Sequence, residues 1–414
     1  MKYRTAYLWI CLLLISGWML PAKAQPLTQP EAVGMSAERL GRIGPLMQQY
    51  VDEDKLAGIL TMVARRGQTV HFQTYGTRNL ESGAPMEPNT LFRIYSMTKP
   101  ITSVAVLMLY EEGHFQLSDP VARYIPSFEG LKVYDADAPD GSKRADVQRP
   151  MSIRDLLTHT SGLTYGFFSE TSVDTLYRET QLFGEDAPLA DMVEKLSALP
   201  LLFQPGERWH YSVATDVLGY LVEVVSGQPF DAFLQTRIFA PLGMNNTSFE
   251  VAPDELDRFA VNYTFDEYGR LIPQDGGTTS SFAAPVRFFS GGGGLVSTAS
   301  DYMRFAQMLL NGGQLGDVRL LSRKTVELMT ANHLDGEFAP GWGFGLGVQV
   351  CTNVARTQVL GSEGTFGWSG AANTFFFIDP KEELIAMVWT QLFPYGFYPI
   401  NNTFKVAVYQ AIID

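Results

Sequence analysis

Ser96-Met97-Thr98-Lys99-Pro100-Ile101-Thr102-Ser103-Val104-Ala105-Val106-Leu107-Met108-Leu109-Tyr110 is the stretch on which the reading of this chain turns. From Ile101 onward it is apolar on almost every side, the pattern of a helix buried around most of its circumference. Glu111-Glu112-Gly113 supplies the stop signal. Pro100 fits only in the first turn of a helix, where its missing N–H costs little. Ser96 therefore falls at the helix N-terminus, where free N–H groups and the helix dipole favour negative charge. Lys99 projects from the same face, about one turn away. A serine hydroxyl attacks weakly until a neighbour removes its proton, and a desolvated lysine can do so. The bland alternative is a capping serine followed by a solvated lysine, so the flanking segments must decide.

Upstream, Leu60-Thr61-Met62-Val63-Ala64 and Thr69-Val70-His71-Phe72 flank a turn at Arg65-Arg66-Gly67-Gln68, the signature of a β-hairpin. Downstream, helical patterns over residues 152–158, 176–199, 212–226 and 229–239 alternate with Gly/Pro-rich loops. Strand signals return late, in Phe344-Gly345-Leu346-Gly347-Val348-Gln349-Val350, Asn373-Thr374-Phe375-Phe376-Phe377-Ile378 and Leu384-Ile385-Ala386-Met387-Val388-Trp389, the last two joined by a turn. Residues 401–413 read as a closing helix. Strands at both chain ends with helices between them predict an α+β fold: one antiparallel sheet built from both ends, flanked by helices, with an inserted mainly helical lobe. The predicted division is a sheet lobe over residues 25–95 and 295–414 and a helical lobe over 96–294, with a cleft between them. Gly291-Gly292-Gly293-Gly294 lacks the strand–G-x-G-x-x-G–helix context of a phosphate cradle and reads as a loop beside that cleft.

The N-terminus carries Lys2 and Arg4, an apolar stretch over residues 6–20, and Ala22-Lys23-Ala24, the pattern of an export signal cleaved after Ala24. Gly17 and Pro21 break the run, which is shorter than the ~20 residues a membrane span needs. The expected destination is the periplasm or the exterior, with no stable membrane anchor after cleavage. The chain has 44 acidic and 31 basic residues, and three of the basic ones lie in the leader. Such an acidic surface disfavours nucleic acid and anionic lipid as partners. Of the two cysteines, only Cys351 follows the cleavage point, so no internal disulfide is available and the core must supply stability.

Three further segments accompany the S-x-x-K. They are Leu156-Leu157-Thr158-His159-Thr160-Ser161-Gly162-Leu163, then Phe203-Gln204-Pro205-Gly206 leading to Tyr211-Ser212-Val213, and finally Gly367-Trp368-Ser369-Gly370-Ala371 before a strand. Together with Gly292-Gly293-Gly294-Leu295-Val296-Ser297-Thr298, they resemble the serine β-lactamase-like hydrolases, which include class C β-lactamases, D-alanyl-D-alanine peptidases and family VIII carboxylesterases. The resemblance implies a β-lactamase/transpeptidase-like fold, Ser96 as nucleophile and Lys99 as the partner that helps deprotonate it. It makes Tyr211 the general base, a role a phenol fills only if a nearby ammonium such as Lys99 favours the phenolate. The backbone N–H groups of Ser96 and Ala371 would form the oxyanion hole. Trp368, Ser369, Gly370 and Val213 would contact substrate.

The departures from the family pattern bear on specificity. Val213 stands where the family has asparagine, and Trp368-Ser369-Gly370 where it has Lys-Thr-Gly. Those lost polar groups hold a substrate amide and carboxylate in β-lactamases and peptidases, so this site is expected to favour neutral, less polar acyl groups. Trp368 matches the W-x-G variant typical of family VIII esterases. The expected substrate is a small-molecule ester. The runner-up within the fold is a D-alanyl peptidase or weak β-lactamase, and from another class a non-catalytic binding protein. Gly367-Trp368-Ser369-Gly370-Ala371 also nearly spells G-x-S-x-G, but that motif needs a histidine after the serine, and all five histidines come earlier. His159 reads as structural, while His210 is open between structure and cleft. Tyr165, Phe167 and Phe168 read equally as acyl-pocket wall or lobe core. No histidine pair has metal-ligand spacing, so neither metal nor cofactor is expected.

Overall fold

The computed structural model describes residues 27–137, 143–184 and 187–414; the expected export signal lies outside them. Its centre is an eight-stranded antiparallel sheet. The strands are β1 (Gly58–Arg65), β2 (Gln68–Asn79), β3 (Ala84–Pro85), β4 (Trp342–Phe344), β5 (Gln349–Cys351), β6 (Phe366–Ser369), β7 (Phe375–Asp379) and β8 (Leu384–Trp389). Their order across the sheet is β4-β5-β6-β7-β8-β1-β2-β3, so the two chain ends meet where β8 pairs with β1, from Leu60 opposite Trp389 to Arg65 opposite Leu384. The β1–β2 turn places Arg66 at φ 51° and Gly67 at φ 72°, the two left-handed residues that a tight hairpin matching strand twist demands.

Side chains alternate between two cores. Ile59, Val63, Phe377, Ala386 and Val388 face one, together with α1 (Ile43–Asp52) and α5 (Ile400–Tyr409). Leu60, Met62, Phe376, Met387 and Trp389 face the larger one, which holds α2 (Thr98–Glu111), α3 (Ala214–Ser226) and α4 (Ala299–Leu310). A sheet covered on both faces explains why these strands read as continuous apolar runs rather than alternating ones. In α2 every residue from Thr98 to Leu109 is buried, as its sequence predicted.

Two sequence expectations differ from the fold. Residues 344–350 form no single strand: β4 and β5 are a hairpin, with Phe344 opposite Gln349 and a reversal between them. Gly347, at φ 88°, makes that reversal against α2, where a Cβ would meet Ser103 Oγ at 1.9 Å. The helix expected over 176–199 is two, Ser172–Glu179 and Leu189–Ser197. A reciprocal Thr171–Asp174 capping box starts the first early, and Pro188 stands at the start of the second without a capping hydrogen bond. The sequence reading missed α4 altogether, although Thr298 accepts from the Asp301 N–H as its N-cap.

Candidate active site

Ser96 lies in one 3₁₀ turn, Tyr95–Met97, that runs straight into α2. Tyr95, just before it, has φ 41°, a conformation costing of order 1–3 kcal/mol for a side-chain-bearing residue. The surroundings impose it. The Ile94 N–H bonds Leu295 O at 3.0 Å, and the Tyr302 hydroxyl donates to Met97 O at 2.9 Å. The strained turn presents Ser96 to a cleft.

Lys99 is 1% exposed, which removes the solvated-lysine alternative. Its ammonium donates to Gly292 O at 2.6 Å, the Tyr165 hydroxyl at 2.9 Å and Ser96 Oγ at 3.2 Å, which uses all three of its protons. It also sits 4.6 Å from the centre of the Tyr211 ring. The glycine run thus supplies a carbonyl to the lysine.

Tyr165, which the sequence left undecided, is the residue that meets Lys99. Burial, reinforced by nearby Asp216 and Tyr211, pushes its phenol well above the usual range, so it meets Lys99 as a neutral hydroxyl. Nothing in local spacing marks it, because its partner is distant in sequence and reached only through the fold. Tyr211 stands beside Lys99, but its hydroxyl oxygen accepts from Trp368 Nε1 at 3.2 Å instead of meeting the lysine. Its ring is set by His159 (4.8 Å between centres), Phe168 (5.4 Å) and Trp368 (5.5 Å).

The edge motif comes to Ser96 through a glycine. A Cβ on Gly370 would lie 2.4 Å from Ile94 O, so only glycine lets the end of β6 close on the Ser96 turn. Gly370 N–H is engaged by Thr374 O at 2.7 Å, and Trp368, Ser369, Gly370 and Ala371 line the cleft with Ser96. Val213 requires a correction. It is fully buried in the core ahead of α3 and takes no part in the cleft wall, because the chain turns into the helix there and points the side chain inward.

Of the histidines, His159 is buried at φ 54°, with Nδ1 and Ser212 Oγ 3.3 Å apart, and burial plus the Lys99 charge holds its pKa well below the usual range. It backs Tyr211 as a neutral ring. His210 lines the cleft, with Nε2 3.1 Å from Thr164 Oγ1. The cleft measures about 1670 Å³ and is walled by Phe167, Phe168, Phe183, Trp209, Phe288 and Phe338. This exceeds the ~300–1,000 Å³ of ordinary small-molecule sites. Among the described residues, no group of three or more His, Cys, Asp or Glu is arranged to hold a metal ion.

Residues 44–410 match the Beta-lactamase family. Esterase EstB of Burkholderia gladioli is 32% identical over 401 residues, covering 92% of this chain and 98% of its own. The structure of EstCE1, a hydrolase with promiscuous acyltransferase activity, superposes with a TM-score of 0.78 at 26% identity, over 91% of this chain and 99% of that one. Simvastatin Synthase (LovD) from Aspergillus terreus follows at 0.77 and 26%, over 90% and 98%. A family match over nearly the whole described chain agrees with the buried serine–lysine contact: the protein belongs to the Beta-lactamase family, as a serine hydrolase close to the esterases.

Proposed function

We propose that the protein is an exported serine carboxylesterase that cleaves esters of short to medium acyl chains through an acyl-enzyme on Ser96. The observation that carries this reading is the Lys99–Ser96 contact at the edge of an aromatic cleft whose strand bears Trp368 in place of a lysine. In this mechanism Ser96 Oγ attacks the ester carbonyl and its proton passes to the Tyr211 oxygen of the Tyr211–Lys99 pair, while Lys99 stays an ammonium. The oxyanion forms between the N–H groups of Ser96 and Ala371, donors worth roughly 3–4 kcal/mol each in comparable sites. The pair returns the proton to the departing alcohol, and water then releases the acid. The large apolar cleft also favours a second reading, in which an apolar alcohol takes the acyl group instead of water; EstCE1, similar in fold, is described as having promiscuous acyltransferase activity.

The test is intact mass spectrometry after mixing with p-nitrophenyl butyrate. An acyl adduct is expected on the wild type and none on Ser96→Ala, while Ser369→Ala keeps its adduct and its turnover. The same protein is expected to favour short aryl esters over cephalosporins by about a thousandfold in kcat/KM. Unpaired polar groups alone can reject a ligand by about 10⁴. Comparable values for the two substrates would replace the esterase with a β-lactamase on the same nucleophile. Absence of both turnover and adduct would favour the non-catalytic binding protein.

A further inference from the structure

Asp216 has no role in the steps above, yet it is fully buried beside the lysine of the site. It lies in the first turn of α3. Its Oδ1 accepts from the Ser290 hydroxyl at 2.5 Å and from the Gly292 N–H at 3.0 Å. The carbonyl of that same Gly292 is the shortest contact of Lys99, at 2.6 Å. The glycine is therefore held on one side by a carboxylate and on the other by an ammonium, and turning the segment would break both bonds. A Cβ at position 292 would lie 2.5 Å from Asp216 Oδ2 and 2.9 Å from the Tyr165 oxygen, so the carboxylate and the phenol close in on the glycine together. Oδ2 is buried without a hydrogen-bond partner, an expensive state for a carboxylate unless a nearby charge compensates it. The groups facing this cluster are Lys99 and Tyr165, with Tyr211 and His159 behind them, and only Lys99 is cationic. Burial pushes the Asp216 carboxyl up, and the Lys99 charge and the bonds from Ser290 and Gly292 oppose that push.

We propose that Asp216 is the positioning residue of Lys99: its carboxylate fixes the Gly292 carbonyl that aims the ammonium at Ser96, and its negative charge holds that ammonium's proton at the buried floor of the cleft. The inference rests on Ser96 and Lys99 as the catalytic pair. A positive charge buried among ring faces and neutral hydroxyls needs an anion nearby, and Asp216 supplies it without touching substrate. Removing the negative charge makes every neighbouring proton easier to lose, so both limbs of the pH–rate profile move toward acid.

The test compares wild type, Asp216→Asn and Ser290→Ala by kcat and KM for p-nitrophenyl butyrate between about pH 5 and 10, a span that covers histidine to tyrosine titration. For Asp216→Asn, kcat is expected to fall by about 10–100-fold, the usual cost of losing a partner that orients a working group, with KM within about threefold. Its profile is expected to shift about one unit toward acid, the lower end of what a close charge does. Ser290→Ala keeps the carboxylate and loosens only the loop, so its kcat falls less and its profile stays in place. An unmoved profile in Asp216→Asn, or a KM that rises in step with the loss, overturns the proposal. If Asp216→Asn does not fold, an unchanged kcat in Ser290→Ala overturns it instead. The acyl adduct separates this result from the functional reading: no adduct on wild type sinks the esterase, whereas an adduct with an unmoved profile sinks only the role of Asp216.

Discussion

The two flanks of Ser96 are built on different principles. On the lysine flank, Lys99, Tyr165, Gly292 and Asp216 are tied by directed polar bonds of 2.6–3.0 Å, and each atom has one place to go. On the other flank, Trp368, Tyr211, Phe168 and Phe338 meet at tilted and edge-on angles, with ring centres 5.4–6.4 Å apart and one hydrogen bond among them. Buried polar bonds fail all at once when a partner is removed, because the survivor is left uncompensated. Ring packing degrades in small steps, because each contact is weak and others remain. Under the proposed mechanism the first flank would move the proton and the second would receive the substrate.

The largest expected effect comes from emptying the lysine flank. Lys99→Ala is expected to lower kcat by about 10³-fold, within the range for positioned proton-transfer groups. Lys99→Arg would not rescue it, since a planar guanidinium cannot reach Gly292 O, the Tyr165 hydroxyl and Ser96 Oγ together. Tyr165→Phe alone costs about tenfold, the loss of one hydrogen bond to a charged group. Steady-state kinetics on the double variant checks the coupling. It is expected to be no slower than Lys99→Ala, and multiplied losses would show that Tyr165 acts apart from the lysine.

On the aromatic flank, Trp368→Phe keeps a ring in the wall and removes only the N–H directed at the Tyr211 oxygen. The expected loss in kcat is about fivefold, equivalent to a neutral hydrogen bond of roughly 1 kcal/mol. A loss as large as that of Lys99→Ala would erase the distinction between the flanks, by showing that this bond orients the base as strictly as the lysine is oriented.

The smallest expected effect on turnover concerns His159. It is neutral when folded, while an unfolded histidine binds a proton below about pH 6.5. Below that pH the unfolded chain holds more protons than the native one, so stability falls as pH falls. His71, held down to about 4 by burial in the sheet, acts in the same direction. His159→Asn is therefore expected to leave the activity profile where it is and to flatten the decline of Tm as pH falls below about 6.5. Thermal melts and rate profiles across that window separate the two effects, and a displaced rate profile would move His159 from packing into proton transfer.

Much of this could be read from local pattern. The hairpin at Arg66-Gly67 and the terminal strands declared themselves through turn chemistry and apolar runs, and Ser96 with Lys99 through the spacing of one helical turn. Those signals work because the interacting residues are near in sequence. The 344–350 segment misled because a glycine-made reversal inside an apolar run has the same composition as a strand. Val213 misled because a family position was matched without knowing which way the helix start would turn its side chain.

What the sequence by itself determined was the α+β architecture and the meeting of Ser96 with Lys99 one helical turn apart, each a matter of short-range pattern. The tertiary structure alone decided that Lys99 bonds Tyr165 and the Gly292 carbonyl, that Tyr211 turns its hydroxyl to Trp368, and that Asp216 lies buried beneath them. These partners are brought together only when the cores close. Their hydrogen bonds depend on angstrom-scale distances that no one-dimensional pattern encodes.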